Sequence, residues 1–386
     1  MTTNSATASS TTGVLGTSAS PGPVKIGVIG CGAISGQYFG MAKNFPIVQV
    51  VACADMVPAV AEAKAKEFKI PRVCSVEELL KDESIELVLN LTVPKAHVPV
   101  GLQCIEAGKH VYCEKPLGID REEGKQLLVA AKKKKVRIGC APDTFLGAGI
   151  QTSRKLLDDG IIGRPVAFTA FMMCRGHESW HPSPEFYYEA GGGPMFDMGP
   201  YYLTALLNLL GPMKRITGSA TIAIPERTIT SKPKFGKKIQ VDTPDHICGT
   251  IEFQNGVSGV ILQSFATMFA ETHPITIFGE TGTLKVPDPN TFDKPVYLRA
   301  KDDTDWHEVP PTFVLGYGRS VGVADMAYAI RSGRKHRASA EQAFAVLDAM
   351  QGFLDSSRTD RAYRIKAKYE RPAPMPADLP FGQLDE

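Results

Sequence analysis

The sequence has almost no net charge: 43 Lys and Arg against 41 Asp and Glu leave +2 over 386 residues. With neither a basic nor an acidic excess, there is no electrostatic ground for nucleic acid or a membrane surface as partner. The eight cysteines (31, 53, 74, 104, 113, 140, 174 and 248) contain no C-x-x-C pair, which argues against a disulfide framework. Most sit in apolar runs such as VVACA, HVYCE and VRIGC, where Cys behaves as a small hydrophobe in a reducing compartment. The first 23 residues have no Lys or Arg and no sustained apolar stretch. They fit neither a signal nor a transit peptide and read as a disordered Ser/Thr/Ala tail. No window elsewhere is long and apolar enough to span a bilayer, and no internal repeat is visible. The cytoplasm is the expected location.

What is present is an ordinary globular composition, 43% hydrophobic and 22% charged, on a chain long enough to expect two domains. From Val24 an apolar strand, VKIGVIG, runs into Gly30-Cys31-Gly32-Ala33-Ile34-Ser35, then a helix, then a second apolar strand ending at Asp55. This order suits a dinucleotide. Gly30 permits the tight turn, Gly32 lets the backbone approach a pyrophosphate, and the helix offers its amides and dipole to the phosphates. Asp55, 23 residues beyond Gly32, is placed to accept hydrogen bonds from both adenosine ribose hydroxyls. Its charge repels a 2′-phosphate, so NAD is favoured over NADP. The third fingerprint position holds Ser35, with Gly36 beside it.

Strand and helix patterns alternate from Val24 to Cys140, which predicts a parallel sheet covered on both faces over residues 24–145. Asp120 with Glu123 marks a helix start. After the punctuation at Gly147 to Arg164 come one helix and then strand upon strand, with a hairpin signal at Asn255-Gly256. These predict a largely antiparallel sheet over 146–365, with helical periodicity near 320–332 and 340–356. Residues 366–386 are Pro-rich and read as an extended tail or arm.

The third strand ends at Asn90-Leu91-Thr92-Val93-Pro94, with His97 in the next helix, and the fourth at Glu114-Lys115-Pro116. Both lie at carboxyl ends of parallel strands, where open α/β sheets bind ligands. An ammonium at Lys115 can hydrogen-bond a substrate hydroxyl and stabilise the alkoxide as hydride leaves. Further on, GGGPMFDMGPYYLT places Asp197 four residues before Tyr201, a spacing that shares one helical face. That pair suits a proton relay, or only a cap and a packed ring.

In this order G-C-G, Asp55, T-x-P with His97, E-K-P and G-G-x-x-x-x-D-M-G resemble the Gfo/Idh/MocA oxidoreductases. The similarity runs from Val24 to about Ile365, including the turn Gly279-Glu280-Thr281-Gly282. The resemblance implies a Rossmann domain followed by an α/β domain with an open, mostly antiparallel sheet. It also implies NAD(P)-linked hydride transfer on a sugar, glycoside or cyclitol. Lys115 would match the catalytic lysine, Asp197 the motif aspartate, Asp55 the ribose ligand, and Thr92 and Pro94 the loop on the nicotinamide side. Inositol dehydrogenase-like members place His four residues after the aspartate, whereas Tyr201 stands here, as in other branches. A phenol with an ordinary pKa of ~10 needs an ammonium such as Lys115 to bring it toward working pH. Pro142-Asp143-Thr144-Phe145 replaces an Arg-containing stretch common in the family, which puts Asp143 among the candidate substrate contacts. Expected cofactor contacts are thus Gly30, Cys31, Gly32, Ala33, Ile34, Asp55, Thr92, Pro94, His97, Glu114 and Lys115.

One rival pattern stands apart. His177-Glu178-Ser179-Trp180-His181 matches H-E-x-x-H, the zinc-protease signature, which needs both imidazoles on one helical face. Gly176 before it and Pro182 and Pro184 after it argue for a loop instead, so no metal is expected. There His177, Trp180 and His181 would line a sugar pocket, with Trp stacking on a pyranose face. Two other readings keep the same fold: a glycosidase or lyase with internally recycled NAD, and a non-catalytic NAD-binding regulator. A sheet face without helical cover would be buried in a homo-oligomer, a dimer or a tetramer.

Overall fold

The computed structural model describes residues 22–385. The expected tail at 1–23 therefore lies, except for Gly22 and Pro23, outside the described residues. The first unit alternates strands with helices, two of them between β2 and β3. It runs β1 (Val24–Ile29), α1 (Ser35–Ala42), β2 (Val48–Ala54), α2 (Pro58–Phe68), α3 (Val76–Lys81), β3 (Leu87–Asn90), α4 (Pro94–Glu106), β4 (His110–Cys113), α5 (Arg121–Lys134) and β5 (Ile138–Cys140). The five strands pair in parallel in the order β2-β1-β3-β4-β5. The order reverses between β1 and β3, and the carboxyl ends there open a ligand crevice. All of β3 is buried, because helices cover both faces and leave no strand side for water. Asp120 caps α5 as its spacing predicts, accepting from the Glu123 amide at 2.8 Å, while Glu123 turns back to the amide of Ile119.

The second unit runs α6 (Ala148–Asp158), β6 (Pro165–Met173), α7 (Gly193–Asp197), α8 (Gly199–Leu210), β7 (Met213–Thr221), β8 (Glu226–Thr228), β9 (Lys238–Gln240), β10 (His246–Phe253) and β11 (Ser258–Ser264). It continues with β12 (Ile275–Gly279), β13 (Gly282–Val286), β14 (Val296–Ala300), β15 (His307–Val309), α9 (Val321–Ser332), α10 (Ala340–Thr359) and β16 (Tyr363–Arg364). Nine strands form one sheet, β15-β14-β13-β12-β6-β11-β10-β7-β16. Only β6 and β11 pair in parallel; the other neighbours are antiparallel, as expected. β10 and β11 form the hairpin expected across Asn255-Gly256. Side chains alternate along β6: Phe168, Ala170 and Met172 are buried, whereas Thr169, Phe171 and Met173 are only half-buried. One face is therefore packed, and the other remains open with Val260 and Phe278 exposed on it.

α8 is buried at every one of its 12 positions and forms the hub behind the site. α9 belongs in sequence to the second unit yet packs on the first sheet, where a Cβ at Gly139 of β5 would meet Met326 Sδ at 3.0 Å. The Pro-rich C-terminal segment has no helix or strand but is held down. Arg337 donates to the Pro374 carbonyl at 2.9 Å, Phe381 stacks on Tyr317 at 5.1 Å, and Leu384 is fully buried.

Candidate active site

The glycine loop leaves β1 with Gly30 at φ +96°, and a Cβ there would lie 2.7 Å from the Leu91 backbone. Only glycine fits that turn. A Cβ on Gly32, by contrast, would meet nothing within 4 Å, so the backbone there faces open space that a pyrophosphate can approach. Ser35 fills the third fingerprint position by turning inward, its Oγ donating to the Gly32 carbonyl at 2.7 Å. Asp55 is tied to the same loop: its Oδ2 accepts from the Cys31 amide at 2.8 Å and its Oδ1 from the Val57 amide at 2.9 Å. The loop, the helix N-terminus and the carboxylate together fit a dinucleotide.

Farther along the same sheet edge, Lys115 follows β4 and reaches α7. Its Nζ donates to Oδ1 of Asp197 and to the Asp197 backbone carbonyl, both at 2.8 Å. The sequence spacing suggested one helix through Asp197 and Tyr201. Instead α7 ends at Asp197 and α8 starts at Gly199; Pro200 has no N–H to extend the first helix. The break frees the Asp197 carbonyl, and a cation is the fitting cap for a helix C-terminus. Burial alone would push the Asp197 pKa up, but the Lys115 ammonium with its hydrogen bond, and the neighbouring His177 imidazole, hold it at about 2. Burial likewise works against charge on Lys115, yet Asp197, Tyr201 and Glu114 leave its pKa raised. The pair is ionised at neutral pH. An ammonium has three donors, and Asp197 takes two.

Tyr201 lies beside this pair, its ring 5.2 Å from Lys115 Nζ. Its hydroxyl accepts from Nη2 of Arg319 at 2.8 Å, and that nitrogen also donates to Asn290 at 3.1 Å. The sequence offers no pattern around Arg319, which sits in an irregular loop just before α9. Lys115 lowers the Tyr201 pKa as expected, and Arg319 does too, but burial raises it by more, so the net shift is upward. The phenol keeps its proton at neutral pH.

The loop after β6 carries the H-E-x-x-H pattern, and it makes one turn, with the His181 amide donating to the His177 carbonyl at 3.0 Å. Glu178 is ion-paired with Arg227 at 3.0 Å and accepts from the Tyr188 hydroxyl, so it faces structure, not a metal. Among the described residues no three His, Cys, Asp or Glu side chains converge on a metal position. Gly176, at φ +96°, passes so close to Glu178, Tyr188 and Arg227 that no Cβ fits. That close pass delivers His177 to the site, its Nε2 3.4 Å from Oδ2 of Asp197. Trp180 is 60% exposed and stands beside His177, ring centroids 5.3 Å apart. His181 is half-buried, its Nδ1 accepting from the Ser183 amide.

Three expected contacts are placed otherwise. His97 is buried, with Nδ1 2.8 Å from the Pro116 carbonyl and Nε2 3.0 Å from that of Thr92. It braces two loops and does not face the crevice. Glu114 accepts from the Tyr38 hydroxyl at 2.6 Å and from the Lys115 amide, so its carboxylate is turned inward. Asp143 is fully buried: its Oδ2 accepts from the amides of Ser320 and Gly322, and its Oδ1 lies 3.6 Å from Arg319 Nη1. It is a brace behind Arg319 and cannot reach a substrate. Thr92 donates from its hydroxyl to Asn90 at 2.7 Å, and Pro94 opens α4; both stay at the crevice edge.

Two family models match the chain. Residues 24–141 match the oxidoreductase family with an NAD-binding Rossmann fold, and residues 150–285 match the GFO/IDH/MocA C-terminal domain. The chain is 29% identical over 264 residues to 1,5-anhydro-D-fructose reductase of Ensifer adhaerens, covering 67% of this chain and 74% of that protein. It is 25% identical over 318 residues to trans-1,2-dihydrobenzene-1,2-diol dehydrogenase of Bos taurus, covering 80% and 89%. Among solved structures, an NAD-binding oxidoreductase from Klebsiella pneumoniae superposes with a TM-score of 0.78 at 20% identity, over 89% of this chain and 99% of that one. Levoglucosan dehydrogenase in complex with NADH and levoglucosan gives 0.76 at 20% identity, over 89% and 100%.

Proposed function

The chain belongs to the NAD-binding Gfo/Idh/MocA oxidoreductases, and from that premise we propose that it is an NAD-dependent dehydrogenase of a sugar, glycoside or cyclitol hydroxyl. The observation that carries this reading is the Lys115 ammonium, fixed by Asp197 at the carboxyl edge of the parallel sheet with one donor left over. When bound, NAD accepts the hydride. Lys115 donates its remaining N–H to the substrate hydroxyl oxygen and stabilises the negative charge that grows there. Asp197 keeps that ammonium charged and in place. Tyr201, already accepting from Arg319, has its own O–H left to donate to the substrate. The sugar class is supported by the relatives' names and by Trp180, an exposed ring beside the site on which a pyranose face can stack.

NAD is preferred to NADP in this reading, supported by the Asp55 carboxylate, which is tied to the glycine loop at Cys31 and would repel a 2′-phosphate. A division near residue 145, between β5 and α6, separates the cofactor unit from the substrate unit. The open face of the nine-stranded sheet, where Val260 and Phe278 remain 40% and 38% exposed, supports a homo-oligomer in this reading. No helix among the described residues is long and apolar enough to cross a membrane, and eight free thiols suit a reducing compartment such as the cytoplasm.

The test is NADH formation at 340 nm against a panel of sugars, anhydrosugars and inositols. Turnover should be lost in Lys115→Ala while NAD affinity stays near wild type. Unchanged turnover in that variant removes the assignment.

A further inference from the structure

Hydride transfer from an alcohol also requires a group that takes the hydroxyl proton. Lys115 is held protonated, and Tyr201 keeps its proton while its oxygen accepts from Arg319. Neither is a resting proton acceptor. Among the described residues, His177 is the imidazole that comes to this centre beside Asp197. The His177 Nε2 is buried, has no hydrogen-bond partner, and lies 3.4 Å from Asp197 Oδ2. Asp197 therefore stands between an ammonium on one oxygen and an imidazole on the other.

We propose, on the dehydrogenase reading above, that His177 is the catalytic proton acceptor of this enzyme. Four residues after Asp197 stands Tyr201, and the imidazole beside Asp197 arrives from the loop after β6. In the step, the substrate O–H and carbinol C–H bonds break and a C=O bond forms. The hydride with its electron pair reduces NAD, and the proton goes to Nδ1 of His177, the ring nitrogen not turned to Asp197, while Nε2–H faces the carboxylate that balances the new charge. The titratable groups facing His177 are Asp197 from α7 and Tyr187 and His181 from its own loop, with Lys115 held on the other oxygen of Asp197.

The position is built. The His177 ring is wedged between Tyr187 and Phe265, at centroid distances of 4.2 and 4.5 Å. Its amide donates to the Tyr188 hydroxyl at 3.0 Å. The loop is clamped by Arg227, which donates to the Arg175 carbonyl and to Asp245 and pairs with Glu178. A packing histidine in this apolar wedge would not need its Nε2 turned toward a carboxylate.

The experiment compares His177→Ala, Tyr201→Phe and Lys115→Ala by kcat on the best sugar of the panel, with NAD affinity from calorimetry and thermal stability alongside. His177→Ala should lower kcat about 10²–10⁴-fold, keep its NAD affinity, and recover turnover when imidazole is added, because the wedge left by the ring admits it. Tyr201→Phe should lose less. A structural defect is not repaired by imidazole, so a loss without rescue in a folded His177→Ala overturns the proposal. So does a weakened NAD affinity that accounts for the loss. His177→Ala at wild-type kcat, beside an inactive Lys115→Ala, overturns this proposal while leaving the dehydrogenase reading intact. An active Lys115→Ala overturns both.

Discussion

Replacing Asp197 by Asn tests whether the Lys115–Asp197 pair is as tightly coupled as its geometry indicates. A carboxyl held at about 2 instead of the ordinary 3.8 is stabilised in the folded state by roughly 2 kcal/mol or slightly more, at ~1.36 kcal/mol per pH unit. Mutational experience supplies an independent figure: removing one partner of a buried pair costs about 3–5 kcal/mol. Both side chains keep some exposure, 16% and 18%, and the asparagine oxygen still accepts, so about 2–3 kcal/mol is expected. That corresponds to a fall in Tm of roughly 4–12 °C for a unit of this size. The assay is urea and thermal unfolding of wild type, Asp197→Asn and the double variant Lys115→Met/Asp197→Asn. The double variant should regain at least half of the lost stability, since no unpaired ammonium remains, yet stay inactive. The pH dependence has a fixed sign. A depressed carboxyl contributes its stability above its ordinary pKa and loses it as pH falls toward its folded value. The gap between wild type and Asp197→Asn should therefore be constant above about pH 5 and narrow as pH falls from 3.8 toward about 2. A single variant as stable as wild type, or a gap that widens on acidification, would refute the reasoning.

Gly32→Ala should fold and melt as wild type, because its new methyl meets no protein atom within 4 Å. It should weaken NAD binding measurably by calorimetry through crowding of the pyrophosphate. Arg319→Met orphans the Tyr201 hydroxyl and leaves Asp143 buried without its cation; urea unfolding should show a loss of about 2–4 kcal/mol. Burial already raises the Asp143 pKa, and losing Arg319 raises it further. The deficit should therefore grow as pH rises above the ordinary carboxylate range.

Which parts of this site the sequence could disclose depended on whether the deciding contacts are local. Gly30, Gly32 and Asp55 were legible because a strand, a turn, a helix and a second strand within 32 residues impose the shape. Lys115 was legible because it follows a buried strand on the ligand edge. Asp197 was legible as a residue but not as a geometry: the helix break that frees its carbonyl for Lys115 rests on Pro200, whose effect depends on what α8 packs against. Arg319 gave no local signal, since its partners Tyr201 and Asp143 lie 118 and 176 positions earlier. Burial depth was the other missing quantity. It turned His97 and Asp143 from expected ligand contacts into braces, and it reversed the direction expected for the Tyr201 pKa. The H-E-x-x-H pattern was correctly weighed as a loop from its flanking Gly and Pro. The contact between His177 and Asp197, however, is a tertiary fact that no spacing reveals.

The most direct test of the central claim is calorimetric titration of the purified protein with NAD and with NADP, repeated on Asp55→Ala. Binding of NAD at one per chain, tighter than NADP, with the preference lost in Asp55→Ala, is the predicted result. Failure of both dinucleotides to bind would contradict the account.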